Sequence, residues 1–323
     1  MKVLLKHMQQ TWLNYWFSPP DPTAQWAVIR LGTALVLLYV LFVRSYDLVW
    51  PLSLLGEGEP GLPPLLPSPD FPLALFGWIL RPWWLWGVHS VALLAAFLMM
   101  LGVFPRVMAI LSLVFQFSYA HQSPALLLGL DYLLITALCY LSLAPSSAML
   151  SLYQVPPLPP YMRISYNPHR VWDETATPSL SWGAFPARLL QLHLSVIYLN
   201  SGLGLLGGDW LAGQALWHPK LQDPAPPVAL ATLETGPWII SLITYALLLF
   251  ELFYPVLVWV RPVRYLCLSL MLVAHLSAAI LWDLVPFNLL MIILNIIYIP
   301  REHMQAVVKG IRSLIPATVA ERR

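Results

Sequence analysis

The chain has 323 residues, of which 59% are hydrophobic and only 10% charged, with a formal net charge of +2. A soluble globular domain carries roughly 25% charged residues, so a water-soluble fold of this composition would leave large apolar surfaces exposed. The low charge and the lack of a basic run exclude a nucleic-acid partner. Cys139 and Cys267 sit inside apolar stretches and read as packing residues; no CxxC or other metal-ligand spacing is present, so no metal site is expected. What remains is an all-α integral membrane protein, a bundle of about eight transmembrane helices that each need about 20 residues.

Residues 1–20 form an expected interfacial helix. Val3, Leu4, Met8, Trp12, Leu13 and Trp16 recur at three- and four-residue spacing, as in a helix lying on the headgroups. Ser18-Pro19-Pro20-Asp21-Pro22 ends it. The transmembrane body, residues 21–300, holds apolar windows at about 25–43, 84–104, 107–121, 126–145, 187–206, 237–260, 265–281 and 284–299. A further apolar stretch, 71–83, reads as a re-entrant or interfacial piece. The basic amphipathic tail, 301–323, is expected to rest on the cytoplasmic leaflet.

Eight spans force the loops to alternate sides. With the N-terminus inside, thirteen of the 17 Lys and Arg residues fall on the cytoplasmic face, among them Lys2, Lys6, Arg106, Arg163, Arg261 and Arg264. Arg44, Arg81 and Lys220 fall outside, and Arg30 lies within the first span. That bias is the positive-inside signature. It gives a multi-pass protein with both termini cytoplasmic, expected in a bacterial cytoplasmic membrane. Two large loops, 44–83 and 207–236, then face outward.

Ionisable side chains inside spans are costly and each raises a functional question. They are Arg30, His89, Asp131, His193, Glu251 and His275, with His121 and Asp283 at span ends. Arg30 can snorkel toward the cytoplasmic interface, and Glu251 lies close enough in sequence to Arg261 and Arg264 for a structural pair. Arg30, Glu251 and His193 are therefore read as structural. Asp131 and His275 both fall in outer halves of their spans, where a carboxylate and an imidazole could exchange protons; they are the candidate catalytic residues. A lipid-accessible pocket is expected around Asp131, Asn200, Asp209, Trp210 and His275, with His121 and Gln122 as further lining candidates.

Several ordered segments carry a family resemblance. They are Trp16-Phe17-Ser18-Pro19-Pro20-Asp21-Pro22 with Ile29-Arg30-Leu31-Gly32, and His121-Gln122-Ser123-Pro124 with Gly129-Leu130-Asp131. Further along come Arg188-Leu189-Leu190-Gln191, Tyr198-Leu199-Asn200-Ser201-Gly202-Leu203 and Gly208-Asp209-Trp210-Leu211-Ala212-Gly213. Glu251-Leu252-Phe253-Tyr254-Pro255 and His275 with Phe287 and Asn288 complete the set. Together they resemble the HTTM family (horizontally transferred transmembrane domain), which includes the vitamin K-dependent γ-carboxylases.

The resemblance implies a lysine between Gly202 and Asp209, the base that deprotonates vitamin K hydroquinone. That position falls on Leu205 or Gly204, and neither can accept a proton. The resemblance also implies the β-rich extramembrane region with which the carboxylases dock their protein substrate, and the short basic tail after residue 300 is not expected to supply it. Carboxylase activity is therefore not expected. Three roles stay open: an enzyme of altered chemistry acting on a quinone-like lipid, a maturation or export partner for a secreted peptide, and a non-catalytic scaffold. The expected partners are membrane lipids, and a secreted peptide or a neighbouring membrane subunit.

Overall fold

A computed structural model of the chain describes residues 22–54, 82–122, 129–146, 184–215, 237–281 and 284–313. The expected surface helix at 1–20 and most of the 71–83 stretch lie outside these residues, as do most of the two outer loops. Among the described residues every regular element is helical. In chain order they are α1 (Thr23–Leu54), α2 (Pro82–Leu101), α3 (Pro105–Gln122), α4 (Gly129–Leu143), α5 (Ala184–Gly204), α6 (Gly208–Leu211), α7 (Pro237–Leu257), α8 (Arg264–Leu281), α9 (Val285–Asn295) and α10 (Arg301–Ser313), with a 3-10 turn at Ile296–Tyr298.

Each of the eight apolar windows falls on one of these helices. Two segments, Thr23–Tyr46 and Trp238–Leu257, are long and apolar enough to cross a membrane by themselves. Shorter apolar helices cover Trp86–Leu101, Gly129–Leu143, Arg264–Ile280 and Val285–Tyr298. Along α7 the side chains of Leu242, Leu249, Phe253 and Val256 all point outward. A helix apolar on its outer face is suited to lipid. This is a membrane protein.

The contacts divide the chain into two compact units, Met1–Arg188 with Ile299–Arg323, and Leu189–Tyr298. In the first, α1 packs on α2 and α4, α2 on α3, and α3 on α4. Ala92, Ala95, Ala96 and Met99 are buried at helical spacing on α2, so small residues let the neighbouring backbones come close. The α2–α3 turn is set by Gly102, whose φ of 75° ends α2 in a Schellman motif. Its two bonds are Val103 N–H to Leu98 O at 2.9 Å and Gly102 N–H to Met99 O at 3.1 Å. Pro105 then opens α3, where a missing N–H costs nothing.

Two expectations about arginines are corrected here. Arg30 does not snorkel: it is fully buried and donates to Ser146 O at 2.7 Å. Arg106 donates to Ala144 O at 3.0 Å. Both guanidiniums thus sit on carbonyls just past the end of α4, where a cation opposes the negative end of the helix dipole. Arg44, expected in the first outer loop, instead lies inside α1, which runs on to Leu54.

The expected cytoplasmic tail begins as α10, which packs on α1 through Met304 and Val308, one turn apart and buried. Its apolar stripe is thus partly spent on protein. Gln25 at the start of α1 donates to Ile299 O at 2.9 Å, just ahead of α10.

In the second unit, α7 meets α8 and α6, and α8 packs on α9. A Cβ at Gly202 would lie 2.9 Å from Leu252 N, so α5 and α7 touch backbone to backbone there. Gly204 differs: a Cβ there meets nothing within 4 Å. The short α6 ends in a second Schellman motif. Gly213 (φ 71°) donates to Trp210 O, Gln214 donates to Asp209 O, and the Tyr245 hydroxyl holds Leu211 O at 2.9 Å.

Candidate functional site

The second unit encloses a chain of hydrogen bonds whose direction can be worked out from its ends. Asn288 Nδ2 donates to Leu284 O at 2.9 Å, which fixes the amide with Oδ1 toward His275. His275 Nδ1, 2.8 Å away, must then donate to Asn288 Oδ1, because a carbonyl oxygen can only accept. In the neutral ring Nε2 accepts, and its partner is the Tyr198 hydroxyl at 2.8 Å. Tyr198 has given its proton, so it receives from Asn295 Nδ2 at 3.0 Å. Asn295 Oδ1 in turn receives from the Tyr254 hydroxyl at 2.6 Å.

The result links α5, α7, α8 and α9 by one ordered run, with Tyr198, Tyr254, His275, Asn288 and Asn295 all buried. The Tyr198 and Tyr254 rings also touch, tilted by 46° with centroids 4.3 Å apart. Beside them Ser195, Tyr298 and Trp259 form a smaller cluster, with Trp259 Nε1 donating to Ser195 Oγ at 3.2 Å. Gln191 Nε2 joins Ile297 O at 2.9 Å. Satisfied networks of this kind rigidify a core, since any unpaired member inside it is costly.

The first unit holds its own cluster. Asp131 Oδ1 accepts from the Arg44 guanidinium and, at 2.7 Å, from Gln116 Nε2. The same guanidinium lies over the Tyr119 ring, 5.0 Å from its centroid. His89, fully buried, touches Ser45 Oγ through Nε2 at 2.9 Å and the Tyr119 hydroxyl through Nδ1. Ser45 spends its proton on Leu41 O, so His89 Nε2 donates and Nδ1 accepts in the neutral ring. The two buried histidines thus carry opposite tautomers.

The expected site residues are distributed as follows. Asp131 has described partners in the first unit and His275 in the second. Asn200 and Asp209 are exposed and Trp210 is half-buried, at the end of α5 and on α6. His193 is half-buried on α5. His121 and Gln122 end α3, but their side chains, like Asp283, fall outside the described residues. The pairing expected of Glu251 with Arg261 or Arg264 is corrected. Arg264 donates to the carbonyls of Val258 and Trp259 at the end of α7, and the Glu251 carboxyl is hydrogen-bonded by Ser201.

Tyr198, Tyr254 and Asn295 were not among the expected site residues. One signal was available: Asn288 and Asn295 are seven apart, two helical turns, so both fall on one face of a span. Tyrosines inside spans gave no such cue, since their usual place is the interface.

Helical architecture, lipid-suited surfaces and buried polar clusters together define an all-α membrane protein. Residues 169–302, which take in α5 to α9, match the family model described as the HTTM domain, and the resemblance read in the sequence stands over that segment. No curated protein and no solved structure matches the chain.

Proposed function

We propose that this is a multi-pass protein of a bacterial cytoplasmic membrane that shares the membrane body of the γ-carboxylases and binds a lipid-soluble or peptide ligand without carboxylating it. The observation that carries this reading is the engagement of His275. With Leu205 or Gly204 at the lysine position, an imidazole is the natural substitute base. Both nitrogens of His275 are already occupied, by Tyr198 and Asn288. A general base must come within about 2.6–3.2 Å of the proton it takes, directly or through one water. His275 would have to surrender a buried bond to do so.

The ligand end of the molecule, on this reading, is the outer side of α5 and α6. Exposed Asn200 and Asp209 and half-buried Trp210 offer polar and aromatic groups there. The bond from Gln25 to Ile299 O supports an even number of crossings, because it brings the first turn of α1 to the residue after the last apolar helix. The Lys and Arg bias supports a cytoplasmic location for that end.

The test has two readouts on the purified protein. Labelled bicarbonate with vitamin K hydroquinone and a glutamate-rich peptide should give no incorporation above membranes lacking the protein. A photoreactive quinone or an apolar peptide probe should cross-link saturably at the α5–α6 junction, less so in Asn200→Ala/Asp209→Asn. Hydroquinone-dependent incorporation, or no saturable cross-link with either probe, would sink the reading.

A further inference from the structure

Glu251 lies in the segment Trp238–Leu257, one of the two able to cross a membrane alone, and it is the sole carboxylate or cation in that segment. Ser201 from α5 hydrogen-bonds its carboxyl, yet Oε2 is buried with no partner among the described residues. Among the described residues no Lys, Arg or His forms an ion pair with it. Arg264 is committed to backbone carbonyls at the end of α7. The titratable groups that feel Glu251 are Tyr198 from α5 and Tyr254 from its own helix, both phenols held in the hydrogen-bonded run.

The backbone around Glu251 is also distinctive. Gly202 lets α5 approach the α7 backbone at Glu251 and Leu252, where an added Cβ would lie 3.0 Å from the Glu251 carbonyl carbon and 2.9 Å from Leu252 N. Pro255 lies four residues on within α7 and has no N–H to give the Glu251 carbonyl. The helix ladder is therefore interrupted at the residue that carries the acid. An ionised carboxylate with neither a cation nor a full set of donors is strongly disfavoured in such surroundings.

We propose that Glu251 is a proton-binding site inside the membrane, a carboxylic acid that keeps its proton on Oε2. Its ligand is the proton, and the group that would compete for the site is a cation or hydrogen-bond donor arriving from the lipid side. This stands apart from the ligand reading of α5 and α6, and either can fail without the other.

A lipid-soluble carbodiimide tests it on the whole protein in native vesicles. The reagent takes up the acid proton on one nitrogen while the carboxylate oxygen bonds to its central carbon. Acyl shift to nitrogen then leaves a stable N-acylurea, with no oxidation or reduction. Peptide mass mapping of the wild-type protein should place the adduct on Glu251, and a charged water-soluble carbodiimide should leave that peptide unmodified. Glu251→Gln should abolish the adduct and shift the melting temperature by less than about 2 °C, since an amide replaces a neutral acid. An unmodified Glu251 in folded protein would overturn the proposal. So would equal reaction with the water-soluble reagent, or a large loss of stability in Glu251→Gln, as expected of a broken ion pair.

Discussion

Tyr198 and His275 are 77 residues apart in the chain, and the Tyr198 hydroxyl donates to His275 Nε2 across 2.8 Å. Neither has a free choice of role, because Asn288 and Asn295 set the proton positions from both sides. The histidine that the sequence marks as a catalytic candidate is thus a well-anchored member of a packed interior.

That anchoring predicts strong coupling. His275→Ala leaves the Tyr198 hydroxyl and Asn288 Oδ1 short of a partner, at a cost of about 1–3 kcal/mol each. Tyr198→Phe should also destabilise. The double variant should lose less than the sum, by about 0.5–3 kcal/mol. Thermal unfolding of the four proteins in one detergent measures this, and strict additivity would contradict the geometry.

The ion pair of Arg44 with Asp131 predicts an unequal set of variants. Removing one partner strands the other beside Gln116 and Tyr119. Arg44→Leu should therefore cost on the order of 3 kcal/mol, while Arg44→Leu/Asp131→Leu should recover much of it. The same unfolding assay decides. A double variant worse than both singles would show that the pair is not the unit that matters.

Gly202 and Gly204 should part company. Alanine at 202 brings Cβ within 2.9 Å of Leu252 N and should cost about 1–3 kcal/mol, because backbone cannot step aside cheaply. Alanine at 204 has open space and should be neutral, or stabilising by a few tenths of a kcal/mol. Equal effects at the two positions would mean that the α5–α7 approach is looser than described.

The topology makes its own prediction. Single cysteines introduced near Asp223 should react with an impermeant maleimide in intact cells, and those near Arg163 only after permeabilisation. The reverse pattern would invert the molecule and remove the outer-side placement of Asp209 and Trp210.

Much of the helical layout was legible because apolar windows and helices coincide when lipid is the solvent. The failures came from long-range partners. Arg44 reads as part of the first outer loop, yet α1 runs through it, since Asp131 from 87 residues away meets its charge. Arg264 is close to Glu251 in sequence, but the carbonyls ending α7 are closer in space and claim the guanidinium. Arg30 looked able to reach the interface, and the chain end after α4 folds over it instead. In the site, Asn288 and Asn295 carried a readable two-turn spacing, whereas Tyr198 and Tyr254 became meaningful only once packing placed their hydroxyls.

Arg106 joins two events separated in time. On the proposed topology, its charge is one of those that hold a loop on the cytoplasmic side while the chain is being made. Once the chain has folded, the same guanidinium closes over Ala144 at the end of α4. Lysine preserves the charge that insertion reads but lacks the planar Nε–H that meets the carbonyl. Arg106→Lys therefore separates biogenesis from endurance: such a chain enters the membrane the right way round and then frays at one helix end.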